Sequence, residues 1–282
     1  MDSPPPFISL SSLNPKLSAN KSSAHEPALD ARLREMTTNA ERELRRSGMN
    51  SAQIAHYWRS MGTSYQRVDE IALLRNIVRS TDFGPMQTVC EVGMNAGHSA
   101  TAMLDGQAGT QQLVEFDLMT FPYSNATRDV LERRYPGRTH FFAGRSQLLI
   151  PLYAARARLE RRLPLCDLWF IDGDHETGAI LDMRAALNVS RDGAIIVADD
   201  CSRKHPRVVA AWRSLIADGF IHDAWNHSGY TKGWCVGRFR RDEAQLRRLT
   251  LGFERAARIP LDPISSMYWR VCTSRGYCAP HR

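Results

Sequence analysis

The chain has 282 residues, 43% hydrophobic and 24% charged, the balance of an ordinary globular protein with enough apolar residues for a sizeable core. Its formal net charge of +7 allows anionic partners, but the Lys and Arg residues are dispersed. They thicken only at Arg156–Arg162 and Arg238–Arg248, which read as solvated helix faces and argue against nucleic acid. No stretch approaches the ~20 apolar residues needed to cross a bilayer, so no membrane partner is expected.

Residues 1–26 are rich in Ser and Pro, lack arginine and have no continuous apolar run, so they read as a disordered leader and not a secretory signal. The expected location is cytoplasmic, with organellar import left open by that leader. From Pro27 to about Arg59 the pattern is helical, carried by Leu29, Leu33, Met36 and Leu44 and interrupted at Ser47-Gly48. A second helix is predicted over Ser64–Ser80, where Val68, Ile71, Leu73, Leu74, Ile77 and Val78 form a stripe.

After a break at Asp82-Phe-Gly-Pro85, strand and helix signals alternate. The predicted strands are Thr88–Val92, Gln112–Phe116, Thr139–Ala143, Leu168–Ile171 and Ala194–Ala198. Between them lie helices over Ser99–Leu104, Asn125–Tyr135, Ser146–Arg162 and Thr177–Val189. This alternation predicts an α/β, Rossmann-like doubly wound sheet with helices on both faces. A helix over Arg207–Asp218 and strands at Phe220–Trp225 and Gly233–Phe239 follow, the last two read as an antiparallel C-terminal hairpin. The domain reading is therefore leader 1–26, N-terminal helices 27–80, core 81–240, and C-terminal helix and tail 241–282. The basic helix over 241–258 carries Leu246, Leu249, Leu251 and Phe253, a stripe that needs an apolar partner and marks a packing or homodimer element.

Six cysteines show neither a CxxC pair nor zinc spacing. Cys90 and Cys166 stand beside strand-like runs and read as buried small hydrophobes, while a bridge between Cys272 and Cys278 stays open. Trp212 falls at core spacing with Val208 and Leu215. Trp225, Tyr230 and Trp234 flank the hairpin, as an aromatic wall or as packing.

Chemistry concentrates at strand ends. Asp172 closes the apolar run Leu168–Ile171, and Asp199 and Asp200 close Gly193–Ala198. Three carboxylates at the ends of buried strands are costly unless something positive sits among them, which points to a hard cation such as Mg²⁺. The first strand runs into Glu91-Val-Gly-Met-Asn-Ala-Gly97, then His98-Ser99 and a helix. Gly93 allows a tight turn and close backbone approach to a ligand, and Gly97 allows the helix to pack close to the strand. Asp117 ends the second strand, placed either to accept ribose hydroxyls or to cap the next element. Ser146 and Gln147 suit adenine-edge hydrogen bonds, or N-capping by Ser146.

From about Ser64 to Phe239 these motifs together resemble a class I S-adenosylmethionine-dependent methyltransferase, nearest to the cation-dependent O-methyltransferases of the catechol and caffeoyl-CoA type and to methyltransferase-24-like proteins. Glu91-Val-Gly-x-x-x-Gly-x-Ser-Ala is similar to the family's first motif, Asp117 to its ribose-binding acid, and Gly144-x-Ser-Gln with Ile150-Pro151 to its adenine turn. Phe170-Ile-Asp-Gly-Asp-His175 and Ala198-Asp-Asp200 resemble its two metal-bearing strand ends. The resemblance implies S-adenosyl-L-methionine as cofactor, contacted by Glu91, Gly93, Asn95, Gly97, Ser99, Asp117, Ser146, Gln147 and Asp172. It further implies Mg²⁺ on Asp172, Asp199 and Asp200, and methyl transfer to a hydroxyl of a small molecule, phenolic, sugar or other.

Two positions depart from that pattern. The family usually has Asp-Asn where this chain has Asp199-Asp200, and often lysine where His175 stands. A histidine, ordinarily near pKa ~6.5, is already mostly neutral at pH 7, so His175 is read as the general base or as a hydrogen-bonding partner of the carboxylates. His205 falls either on the substrate side or in a surface loop. Two other functions stay open: RNA methylation using the basic C-terminal helix, although no Asn-Pro-Pro-Tyr type motif is present, and non-catalytic S-adenosylmethionine binding. An NAD-linked oxidoreductase is disfavoured by Gly93-x-x-x-Gly97.

Overall fold

The structure of the protein is a computed structural model. It describes residues 27–61, 68–80, 83, 85–106, 111–160, 163–227 and 233–241. The expectations for the leader, for Tyr230, for the basic helix with its Leu246–Phe253 stripe, and for Cys272 and Cys278 lie outside those residues.

Among the described residues, three helices precede the sheet: α1 (Pro27–Arg46), α2 (Ser51–Met61) and α3 (Val68–Arg79). The break between α1 and α2 is built twice over. Gly48, at φ +97°, lets the amides of Gly48 and Met49 return to the carbonyls of Arg45 and Leu44, closing α1. Asn50 then opens α2 with a reciprocal pair: its Oδ1 accepts from the Gln53 amide, and Gln53 Oε1 accepts from the Asn50 amide.

The core follows as β1 (Thr88–Val92), α4 (His98–Gly106), β2 (Gln112–Asp117), α5 (Ser124–Arg134), β3 (Thr139–Ala143), α6 (Ser146–Glu160), β4 (Cys166–Ile171), α7 (Gly178–Leu187), β5 (Ser190–Ala198), α8 (Pro206–Ala217), β6 (Ile221–His227) and β7 (Trp234–Phe239). The seven strands form one sheet in the order β3-β2-β1-β4-β5-β7-β6. The first five are mutually parallel; β7 runs antiparallel to both β5 and β6, as the hairpin reading expected.

Alternate side chains feed opposite layers. Cys90, Val114, Trp169 and Ile196 meet α6, α7 and α8 through residues such as Tyr153, Met183 and Trp212. Val89, Leu113, Leu168 and Ile195 meet α3, α4 and α5 through Leu74, Met103 and Leu131. Burial on both faces explains why these strands are continuously apolar in sequence. The N-terminal helices close over the β1 end: Trp58 of α2 packs with Ala96 and Tyr123, and Leu29 and Leu33 of α1 pack with Ile71 and Ala102.

The cysteine reading needs correction. Cys90 and Cys166 are joined as a disulfide between β1 and β4, and Cys201 is joined to Cys235 on β7. Neighbouring strands bring the partners to Cα separations of 5.9 and 5.5 Å, inside the range a disulfide needs, across 76 and 34 residues of sequence. Such separations leave no local spacing signal to read. Arg238 is also not on a helix face: it lies in β7 opposite Ile195, donates to the Gly193 carbonyl and sits 5.0 Å over the Phe83 ring. No described helix is long and apolar enough to cross a membrane.

Candidate active site

The carboxyl ends of β1, β2, β4 and β5 open on one crevice. Gly93 turns the chain there at φ +96°, and its glycine identity has a steric cause: a Cβ would stand 2.2 Å from the carbonyl oxygen of Asp172. The close approach is thus to the neighbouring strand end. Gly97 departs from its expected packing. A Cβ at Gly97 would meet Met36 Cε at 2.7 Å and Thr127 Cγ2 at 2.9 Å, so this glycine admits α1 and α5, not the strand.

Asn95 adopts φ +48° between the two glycines, and its Oδ1 accepts from the Tyr123 hydroxyl at 2.6 Å. Burial, with Tyr57 beside it, raises the Tyr123 phenol well above its usual value, so it stays a donor. Asp117 caps the turn that follows β2 and braces the glycine turn as well. Oδ2 accepts from the Met94 amide of the glycine turn at 2.9 Å, and Oδ1 accepts from the Met119 amide two residues on at 2.6 Å.

Behind this turn Glu91 and Glu115 face each other across the β1–β2 register, both fully buried. Burial pushes both carboxyls up, and Glu91 raises Glu115 further. Ser99 donates its hydroxyl to Glu91 Oε1. Ser146 and Gln147 stand at the start of α6, beside a buried acid that sequence reasoning missed. Gln147 Nε2 donates to Asp182 Oδ1 and Oδ2 at 3.1 and 3.0 Å, and burial raises Asp182 to about 7 against the lowering effect of Ser146 and Gln147. The available signal was one acid set among the apolar residues Ala179, Ile180, Leu181 and Met183 of a helical stretch.

On the other side, β4 and β5 pair in register through Ile171 and Ala198, so the next residues emerge side by side. Backbone bonds fix them: the Asp172 amide donates to the Val92 carbonyl and the Asp199 amide to that of Ile171. Asp172, Asp199 and Asp200 place one carboxylate oxygen each within 4.8 Å of one another. Asp200 holds φ +55°, a conformation costly for a non-glycine residue and characteristic of functional turns. Trp234 Nε1 donates to Asp199 Oδ1 at 2.7 Å and so orients an acid, while Trp225 stacks on Phe83 in the core and Trp212 is core as expected.

His175 brings Nε2 to 3.3 Å from Asp172 Oδ1 and 3.2 Å from Asp200 Oδ2. His205 lies in the part-exposed turn before α8 on the same side, with Nε2 at 3.7 Å from Asp200 Oδ2. Asp174, in the same Asp-Gly-Asp-His stretch, is spent on the amides of Glu176 and Gly178 at the start of α7. The fold therefore places the predicted residues at the carboxyl end of the parallel sheet in two sets, Glu91 to Ser99 with Asp117, Ser146 and Gln147 in one, with Glu91 buried behind the turn, and Asp172, His175, Asp199 and Asp200 in the other.

Residues 90–201 match the family model of a methyltransferase domain. Among solved structures, the O-methyltransferase from Bacillus cereus in complex with SAH superposes with a TM-score of 0.54 at 16% identity, covering 81% of this chain and 97% of that one. The SAH-bound Podospora anserina methyltransferase PaMTH1 gives 0.54 at 16%, covering 86% and 100%. The O-methyltransferase TomG from Streptomyces achromogenes, in complex with SAM, gives 0.53 at 16%, covering 82% and 96%. No curated protein matches the sequence.

Proposed function

We propose, from the premise that the chain carries a methyltransferase domain over residues 90–201, that it transfers the methyl group of S-adenosylmethionine to a hydroxyl of a small molecule in a reaction dependent on a divalent cation. One observation carries this reading. The glycine turn and the first acid are in contact, since a Cβ on Gly93 would overlap the Asp172 carbonyl. A cofactor seated on the turn and an acceptor seated among the acids then meet, and such positioning supplies much of the acceleration in methyl transfer.

On the cofactor side Asp117 would accept the ribose hydroxyls in addition to its two amides, because each carboxylate oxygen has two lone pairs. Glu91, Gly93, Asn95, Gly97 and Ser99 shape the methionine end, and Ser146 and Gln147 the adenine edge. Bound S-adenosylmethionine supplies an electrophilic methyl on a sulfonium.

On the acceptor side the donor set fits a hard cation, for Asp172, Asp199 and Asp200 offer oxygen atoms that need positive charge among them. These three residues would hold Mg²⁺, which would supply a Lewis acid for an acceptor hydroxyl. Trp234 keeps Asp199 in orientation. His175, whose ring lies beside Asp172 and Asp200, would accept the hydroxyl proton.

The test incubates the full chain with S-adenosylmethionine and a panel of phenolic, sugar and other hydroxylated metabolites, following the mass gain of one methyl group with and without chelator. A methylated hydroxyl product that disappears on chelation and returns with Mg²⁺ is expected. Absence of S-adenosylmethionine binding by calorimetry, methylation of RNA alone, or turnover indifferent to chelation would each overturn the reading.

A further inference from the structure

The crevice contains a second donor set of different chemistry. Besides the all-oxygen group, one ligand atom each of His175, Asp200 and His205 lies within 4.8 Å of the others. Two imidazoles with one carboxylate suit borderline cations such as Zn²⁺ or Co²⁺, whereas Mg²⁺ prefers oxygen alone. The spacing agrees: donor atoms on a tetrahedral ion with bonds of about 2.0–2.1 Å lie roughly 3.3 Å apart. Asp200 Oδ2 stands 3.2 Å from His175 Nε2 and 3.7 Å from His205 Nε2. The two rings are 5.1 Å apart and inclined at 70°, so they are not stacked on each other.

The local chain is built to keep this arrangement. Asp200 is the buried anchor, its side chain 1% exposed, while His175 and His205 remain about one-third open, at 34% and 30%. Cys201, next to the anchor, is fixed to β7 by its disulfide and by its amide to the Gly233 carbonyl. The turn then folds back, with the Ser202 amide on the Asp200 carbonyl and the His205 amide on that of Ser202. Pro206 follows at the start of α8 and restricts the backbone of His205 to non-helical conformations, here φ −120° and ψ 70°.

We propose that His175, Asp200 and His205 form a nitrogen-bearing site for a borderline divalent cation of the zinc or cobalt class, sharing Asp200 with the oxygen set. The binding claim stands on these residues alone. Its consequence rests on the methyl-transfer reading: a cation on His175 Nε2 withdraws the base, so Zn²⁺ inhibits where Mg²⁺ supports.

Binding is read first without turnover. Co²⁺ added to the metal-free full chain should give visible bands of low-coordinate geometry, bleached by equimolar Zn²⁺ and not by millimolar Mg²⁺. Cu²⁺ on the same protein should show nitrogen couplings from two imidazoles in pulsed electron paramagnetic resonance. His205→Ala and His205→Asn should each lower Zn²⁺ affinity at least tenfold by calorimetry, while leaving S-adenosylmethionine affinity and the melting temperature unchanged. Absence of nitrogen couplings in the parent, Co²⁺ displaced by Mg²⁺, or parent-like Zn²⁺ affinity in a folded His205 variant would overturn the site. Intact Zn²⁺ binding in a protein that transfers no methyl group would leave this site standing and remove the proposed function instead. Where methyl transfer occurs, Zn²⁺ should suppress it in the parent, and His205→Ala should resist; equal inhibition of both would overturn the shared-base consequence.

Discussion

The two sides of the crevice are constructed differently. On the β1–β2 side the polar groups are tied to one another: Asp117 to the Met94 and Met119 amides, Ser99 to Glu91, Asn95 to Tyr123, Gln147 to Asp182. Shape there comes from backbone and glycine. On the β4–β5 side, carboxylates and imidazoles from three separate stretches converge on one another, and one acid, Asp199, is held by a tryptophan from β7. The first side is held by hydrogen bonds among its own groups; the second gathers three carboxylates and two imidazoles at one place. Substitutions on the second side should therefore damage chemistry, and those on the first should damage binding or folding.

The largest expected effect is on the second side. Exhaustive chelation should abolish methyl transfer, and His175→Ala should lower kcat by ~10²–10⁴, the range for a lost general base. Neither should shift S-adenosylmethionine affinity much, as calorimetry on the same samples would show. A His175 variant that retains parental single-turnover rates would erase the distinction between the two sides at its strongest point.

Next comes Gly93→Ala. The added methyl meets the Asp172 carbonyl at 2.2 Å and the residue must hold φ +96°, so the variant should lose about 3 kcal/mol in denaturant unfolding. Gly48→Ala shares the left-handed backbone, at φ +97°, but has nothing within 4 Å, and should lose only about 1 kcal/mol. Equal losses would mean that contact between the two sides is not what demands glycine at 93.

This contrast also explains what could be read from sequence. The β1–β5 alternation was legible because burial on both faces writes continuous apolar runs, and the acids stood out because they end such runs. Gly93 and Gly97 were legible as special positions, yet their true neighbours, Asp172, Met36 and Thr127, come from distant elements and have no local signature. The disulfide partners were hidden for the same reason. Trp234 and His205 join the acids only through β7 and the turn before α8, so spacing along the chain could not assign them. The Asn50–Gln53 capping pair was local, and was available in the sequence to a closer reading.

A smaller effect is expected at Asp117. Asp117→Ala should weaken S-adenosylmethionine binding by about 1–3 kcal/mol, the scale of lost charged hydrogen bonds, with kcat at saturating cofactor much less affected. Calorimetry on a folded variant decides it. Unchanged affinity would leave Asp117 as a brace between Met94 and Met119 and nothing more.

The smallest effects concern stability against pH, where two buried groups should act with opposite sign. Asp182, raised to about 7 by burial, binds a proton in the folded state over a window where the unfolded carboxyl, near ~3.9, has released it. The folded state thus holds more protons between those values, and stability should fall as pH rises from about 4 to 7, on the order of 1 kcal/mol per pH unit. His98, lowered to about 4 by burial, behaves in reverse: the unfolded imidazole, near ~6.5, takes up a proton that the folded one resists. Its contribution should be lost as pH falls from about 6.5 toward 4. The slopes oppose each other between about pH 4 and 6.5, and the buried Glu91 and Glu115, also pushed up, add to that of Asp182, so the parent alone does not resolve them. Asp182→Asn and His98→Gln separate them. Relative to the parent, the first should gain stability as pH rises through that window, and the second should gain as pH falls. Urea unfolding at half-unit steps of pH measures both, and a stability difference for Asp182→Asn that stays flat from pH 4 to 7 would show that the acid holding Gln147 is ionised throughout, making it a charged brace for the start of α6 instead of a protonated one.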